Sequence, residues 1–244
     1  MVILRIKVII YYLLGDCMEG NFSLISKSDD LQDIFAKYGA FALDKQSNLA
    51  KIVGDVEPEL DIEKGIVSFG DKEFPIQLIG FLNPESSEWS WAWDNDEIGF
   101  PEDLLEEARS AKAFGEEYGI PQFAESPIEL GIGEAHILVM TLSSIFGNGA
   151  YCAPIFGDFI FFVTIESDEI PSSDDVFEFM DIYYDFYTKF EVDHRTALKG
   201  YADLKGYGFK DHDDFSFVKM GEDRFMVSFS ERGYVENLKP FKVQ

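Results

Sequence analysis

Three groups of residues in this chain have types and spacings that could do chemistry. Trp89, Trp91 and Trp93 stand at alternate positions in Glu88-Trp-Ser-Trp-Ala-Trp-Asp-Asn95 and are its three tryptophans. Indoles aligned along one side of an extended segment could stack a sugar or a base, or cage a cation. The favoured reading is a core face packed beneath a helix, because tryptophan is on average a highly buried residue. With Tyr151 and nearby carboxylates, Trp89, Trp91 and Trp93 are the candidate lining of an aromatic ligand pocket in a small-ligand-binding protein or enzyme. The second group is Asp174, Glu178, Asp181 and Asp185, spaced i, i+4, i+7 and i+11 and so placed on one helical stripe. Like charges so arranged oppose the helix by about 0.2–0.5 kcal/mol per pair. The stripe is therefore either a solvated face or a surface that meets something basic.

The third group is the histidines, His136, His194 and His212. His136 has no second ligand one turn on, so an HExxH-type metal pair is absent. His194 opens a helix, where a surface imidazole is ordinary. Asp211-His212-Asp213-Asp214 mixes carboxylates with imidazole, but adjacent residues seldom converge on one ion, and the run reads as a solvated loop. No metal site and no cofactor are assigned. There is no GxSxG elbow, no P-loop and no GxGxxG after a strand. Cys17 and Cys152 lie far apart, without CxxC spacing or a basic neighbour, which points to reduced thiols in a cytoplasmic protein.

Charge sets the partners. Asp and Glu number 46 against 20 Lys and Arg, a net of −26. That excess disfavours phosphate backbones and anionic lipid, so neither nucleic acid nor a membrane surface is expected. It fits a docking face for a basic protein such as a nuclease or toxin, an immunity-like role, or simply a well-solvated surface. Oligomeric state is not encoded in these features.

The elements that must position these groups follow from the periodicities. Residues 2–14 are apolar but carry Arg5 and Lys7, too short and too charged to span a bilayer. They read as a strand or as translated sequence upstream of a start at Met18, so residues 1–17 are expected to be a weakly packed extension of a single domain over 18–244. Ser28, with Asp29 and Asp30 after it, predicts a helix over about 28–50, with a candidate break near Gly39 and an end at Gly54. Pro75 to Leu82 predicts a central strand with Ile76, Leu78, Gly80 and Leu82 on one face, forming a hairpin with the tryptophan segment. Phe100-Pro101 predicts the start of the next helix. Further helices are expected over 133–146, from the Ser172–Asp175 cap to Phe190, and from Asp193 to Leu204. Phe159 to Ile165 predicts a strand buried on both faces, and Phe215–Phe229 a terminal hairpin.

The segment from Ile76 through Asn95, containing QLIGF and EWSWAWDN and followed by an EEAR helix, resembles an uncharacterised prokaryotic family. Its signature is Trp-x-Trp-Ala-Trp-x-Asn after a strand reading LIG. Trp89, Trp91, Ala92, Trp93 and Asn95 stand at the matching positions, and the likeness covers residues 28–170. The resemblance implies no assigned activity. The fold class expected is α+β, an antiparallel sheet of about six or seven strands with helices packed mainly on one face. The leading functional expectation is a non-enzymatic protein that binds or neutralises a basic partner.

Overall fold

A computed structural model describes residues 20–95, 98–147 and 149–242. The expected extension over 1–17, Cys17 included, lies outside the described residues.

Helix α1 (Leu31–Val53) forms the middle of the molecule. Asp30 caps it: its carboxylate accepts from the Asp33 backbone N–H, and the Asp33 carboxylate accepts from that of Asp30, a capping box. The expected Ser28 cap is displaced by two residues, since the Asp29 carboxylate is engaged by the Ser26 backbone and Lys37. The helix runs unbroken through Gly39. A Cβ there would lie 2.6 Å from the ring of Phe186, so the glycine admits a packed neighbour and does not break the helix. Gly54, at φ 64°, ends it.

The larger sheet is built on a long strand. Strands β1 (Glu59–Asp61), β2 (Ile66–Phe69), β3 (Lys72–Asn83), β4 (Glu88–Trp91) and β5 (Ile128–Glu129) follow one another as antiparallel neighbours. The other edge of β3 pairs with β8 (Phe159–Ile165), which also carries β6 (Tyr151–Cys152) and β7 (Ile155–Phe156). The expected hairpin is present, with Gly80 opposite Trp91 and Leu82 opposite Trp89. On its other edge β3 departs from simple alternation, because a bulge between Leu78 and Gly80 places Leu78 opposite Val163 but Gly80 opposite Phe162. Consecutive residues of β8 point to opposite faces, so the bulge turns Leu82 away from the side shared by Ile76 and Leu78. Two cores result. Ile76, Leu78, Val163 and Ile165 pack with Leu49, Leu104, Leu105 and Ile170, whereas Ile79, Leu82, Phe162 and the tryptophans pack towards the helices.

A second sheet of four antiparallel strands orders β9 (Gly208–Asp211), β10 (Phe215–Met220), β11 (Asp223–Phe229) and β12 (Val235–Lys242) as β12-β11-β10-β9. The expectation of one sheet with six or seven strands is thus replaced by sheets of eight and four. The fold remains α+β with antiparallel pairing. Helices α2 (Glu106–Tyr118) and α4 (Ile132–Ile145) lie on β3 and β8, with the single turn α3 (Pro121–Ala124) beside α2. Helices α5 (Val176–Lys189) and α6 (His194–Leu204) lie on the small sheet, and α1 contacts α4, α5 and α6. The helices therefore form a layer between the two sheets. Pro101 does not start α2. It precedes a 3-10 turn, Glu102–Leu104, that turns Leu104 and Leu105 inward before the helix begins at Glu106.

One buried polar brace ties this layer together. Asp44 of α1 accepts from Tyr201 Oη at 2.9 Å, Asn48 Nδ2 at 3.0 Å, the Ser173 backbone N–H at 3.1 Å and Lys205 Nζ at 3.2 Å. The two charged side chains are 1% and 2% exposed. The same lysine donates to the Ser173 carbonyl, so the segment leading into α5 is fixed to α1 and to the end of α6.

Candidate functional site

The tryptophan segment is extended only to Trp91. Ala92–Asp94 is a 3-10 turn, and Asn95 Nδ2 donates to the Trp91 carbonyl at 2.8 Å to close it. The three indoles still meet one core. Trp89 crosses Trp91 edge to face at 5.7 Å between centroids, and Trp93 stacks near Trp91 at 6.1 Å. Trp89 and Trp91 are fully buried, and Trp93 is half-buried beneath Lys112, whose ammonium stands 3.9 Å from the ring centroid. Trp91 Nε1 donates to the Gln122 carbonyl, whereas Trp89 Nε1 has no partner among the described residues. Tyr151 is also buried. Its hydroxyl lies 2.8 Å from His136 Nδ1, and burial pushes its pKa up to about 12 and that of His136 down. Trp89 and Trp91 thus form a core face beneath helices, and, against the alternative of an open aromatic pocket, Trp89, Trp91 and Tyr151 present no ring face to solvent. The reason lies in the sheet: β4 turns its indoles inward beneath α2 and α3, where Phe162 and Phe123 close on them.

The acidic stripe is split. Asp174 precedes the α5 N-cap, Asp175, and so stands before the helix; it accepts from Tyr207 Oη at 3.1 Å, which helps push that phenol up to about 12 after burial. Glu178 accepts from Ser173 Oγ and faces Lys51 Nζ at 3.4 Å, and these contacts lower its pKa. Asp185 pairs with Lys189 at 2.6 Å. Asp181 is exposed. Glu178, Asp181 and Asp185 line a cleft of about 400 Å³ between α1 and α5, so the structure does gather three of the four carboxylates, with Lys51 among them.

A different surface was not legible as a site from the sequence. Phe81, Phe156, Phe159 and Phe161 lie on the side of β3, β7 and β8 turned away from the tryptophans. Their rings touch one another: Phe81 meets Phe159 at 5.5 Å and Phe161 at 5.4 Å, and Phe156 meets Phe161 at 6.1 Å. Phe100 joins through Phe81 at 6.5 Å. Among the described residues none covers this end of the sheet, and Phe156 is 71% exposed, Ile98 55% and Phe159 36%. Beside the rings runs a groove of about 580 Å³ whose apolar lining includes Phe156, Phe161, Phe100 and Ile98, and whose charged lining is Glu59, Asp61, Glu63, Glu73 and Lys64. Lys64 is neutralised by Asp61 at 2.7 Å. The groove thus offers rings for apolar contact and an excess of carboxylates at its rim. The FIFFVTI run was expected to be buried on both faces. Its Phe159 is exposed and its Phe161 half-buried, because Leu49, Leu104, Leu105 and Ile170 pack towards its Ile165 end.

Among the described residues no group of three or more His, Cys, Asp or Glu is placed to hold a metal ion, and no helix is long and apolar enough to cross a membrane. Asp211 is engaged by Arg195 and by Ser216 Oγ at 2.5 Å, while His212 stacks on Phe215 at 4.6 Å.

A family model described as a family of unknown function, DUF6882, matches residues 32–167. The chain belongs to that family. The DUF6882 region begins in α1 and ends after β8, and it contains both the buried tryptophans and the phenylalanine groove. Helices α5 and α6, with the acidic stripe and the small sheet, lie beyond it. No curated protein and no solved structure matches the chain.

Proposed function

We propose that this chain is a non-enzymatic binding protein for a basic protein partner, and that the partner docks on the phenylalanine groove. The observation that carries this reading is the exposed pair Phe156 and Phe159, backed by the half-buried Phe161 and the buried Phe81 and bordered by Glu59, Asp61, Glu63 and Glu73. Contiguous exposed rings on a chain with an ample core mark an interaction surface. The rim supplies attraction and orientation, and the rings supply the desolvated centre. Intracellular neutralisation of a cationic enzyme fits this chemistry.

The α5 stripe, Asp174, Glu178, Asp181 and Asp185, is the competing surface. Most of its carboxylates already face Tyr207, Ser173, Lys51 or Lys189, which leaves less charge for a partner. The two surfaces separate by experiment. Immobilised wild-type chain should retain a high-pI protein from lysate of its own cells at about 0.1 M salt and release it near 1 M, as the Debye length falls from about 10 to about 3 Å. The double variant Phe156→Ser/Phe159→Ser should lose that protein, while Asp181→Lys should keep it. Retention of no basic protein, or equal retention by the double variant, would overturn the proposal.

A further inference from the structure

The small sheet has an outward face whose charge runs against the rest of the chain. Strand pairing places Phe217 opposite Lys210 and Met226, and Lys219 opposite Gly208 and Arg224. Met226 in turn faces Lys239. Residues paired across strands share a face, so Lys210, Lys219, Arg224 and Lys239 all stand on the side opposite Val218, Phe225 and Val227, which are buried against the helices. Of the carboxylates on these strands, Asp211 and Asp223 pair with Ser216 and Met220, on the inner side, and Glu236 stands in the bulge at the start of β12, away from Lys219 and Arg224 in the register. In a chain with 46 acids and 20 bases this separation of charge is unexpected. Elsewhere Lys37, Lys51, Lys64, Arg109, Lys189, Arg195, Lys199 and Lys205 are in ion pairs, while Lys27, Lys45, Lys72, Lys112 and Arg232 stand apart from one another without one among the described residues. Among the described residues Lys210, Lys219, Arg224 and Lys239 form none.

Two features show that this face is incomplete as it stands. Lys219 and Arg224 are directly opposite one another, an arrangement of like charges that opposes strand pairing. Arg224 Nε is shielded from solvent and has no hydrogen-bond partner among the described residues; a buried donor left so is costly. An anion between the two side chains removes both penalties. Beside them lies a cavity of about 570 Å³ lined by Lys210, His212, Phe217, Lys219 and Arg224 among others, within the size range of small-molecule sites. Its rings are grouped: His212 stacks on Phe215 at 4.6 Å, and Phe217 meets Phe215 at 5.2 Å and His212 at 6.0 Å, each edge to face.

We infer that the outward face of the β9–β11 sheet binds a free nucleoside phosphate, its phosphate held by Lys210, Lys219 and Arg224 and its base laid against the His212–Phe217 rings. Cations in a fork and point geometry suit phosphate oxygens, and aromatic side chains accept any base by stacking. The net charge of −26 selects the size of the ligand. A long polyanion would extend over acidic surface, whereas a mononucleotide sits within about one Debye length of the cations, ~8 Å at physiological salt. This inference does not depend on the phenylalanine groove, which lies on the other sheet.

Calorimetric titration of the full chain tests it, with adenosine monophosphate, adenosine, inorganic phosphate and an eight-residue oligo(dT) as the probes. The monophosphate should bind with a dissociation constant below 1 mM, at least tenfold tighter than adenosine or phosphate alone, taking about 1.4 kcal/mol per decade. Lys219→Ala and Lys210→Ala, both at exposed positions, should each weaken it about three- to tenfold. Arg224→Lys should weaken it more, because one ammonium cannot replace the guanidinium fork; urea midpoints of all three variants check that the sheet still folds. Absence of heat with the monophosphate, equal affinity for phosphate alone, tighter binding of the oligonucleotide, or unchanged affinity in Lys219→Ala with native stability would each overturn the inference.

Discussion

Replacing Lys205 by methionine leaves a buried carboxylate without its counter-charge, and the cost can be worked from the geometry. Asp44 Oδ2 and Lys205 Nζ are 3.2 Å apart; at an effective dielectric of 20 their attraction is about 5 kcal/mol. Water cannot replace the ammonium, because the Asp44 side chain is 1% exposed. Breaking one side of such a pair costs about 3–5 kcal/mol. For a chain of this length each kcal/mol moves the melting midpoint by roughly 2–4 °C, so Lys205→Met should melt about 6–20 °C lower. The double variant Asp44→Asn/Lys205→Met should recover most of that loss. Its amide oxygen can still accept from Tyr201 Oη and the Ser173 N–H, and no buried charge remains. Urea unfolding of the wild type, both single variants and the double closes the cycle. A loss below about 1 kcal/mol in Lys205→Met, or a double variant no more stable than that single, would refute the view that this pair fixes α1, α6 and the lead into α5.

Other consequences follow from the same contacts. Gly200→Ala places a Cβ 2.2 Å from the Lys37 carbonyl at the α1–α6 crossing; backbone cannot yield there, so a loss of about 2 kcal/mol or more is expected in urea melts. His136 is held neutral by burial, and its folded pKa lies below the ordinary value. The unfolded chain therefore binds the extra proton first, and this group's contribution to stability is full above about pH 6.5 and declines as pH falls below it. His136→Gln should flatten the stability-against-pH curve of the wild type between pH 7 and 5. Burial pushes the Cys152 thiol up to about 12, so peptide mapping after alkylation of the native chain at neutral pH should find Cys152 unmodified and modified only after unfolding. Acrylamide should quench Trp93 but scarcely reach Trp89 and Trp91, as single-tryptophan fluorescence would show.

Much of the scaffold was legible because local chemistry and tertiary demand agree in it. The aspartates before Leu31, the glycine at 54 and the alternating indoles each state a local rule that packing then uses. The bulge at Leu78–Gly80 was not legible, since both faces of β3 are apolar and either register buries them. Strand β12, with Pro240 inside and no clear alternation, carries no strand signal of its own; it is recruited by the paired backbone of β11. The surfaces were harder still. Phe159 and Phe161 read as core because ring-rich alternation describes any buried strand, and only the placement of the second core at the Ile165 end leaves Phe159 exposed and Phe161 half-buried. In the same way the α5 carboxylates looked unmet because Tyr207, Ser173 and Lys51 reach them from elsewhere in the fold.

The most direct measurement of the docking surface is hydrogen–deuterium exchange of the chain with and without the basic protein it retains. The account predicts slowed exchange in residues 59–68 and 155–161, around the phenylalanine groove, with α5 unchanged. Protection confined to residues 174–189, or spread over neither segment, would contradict it.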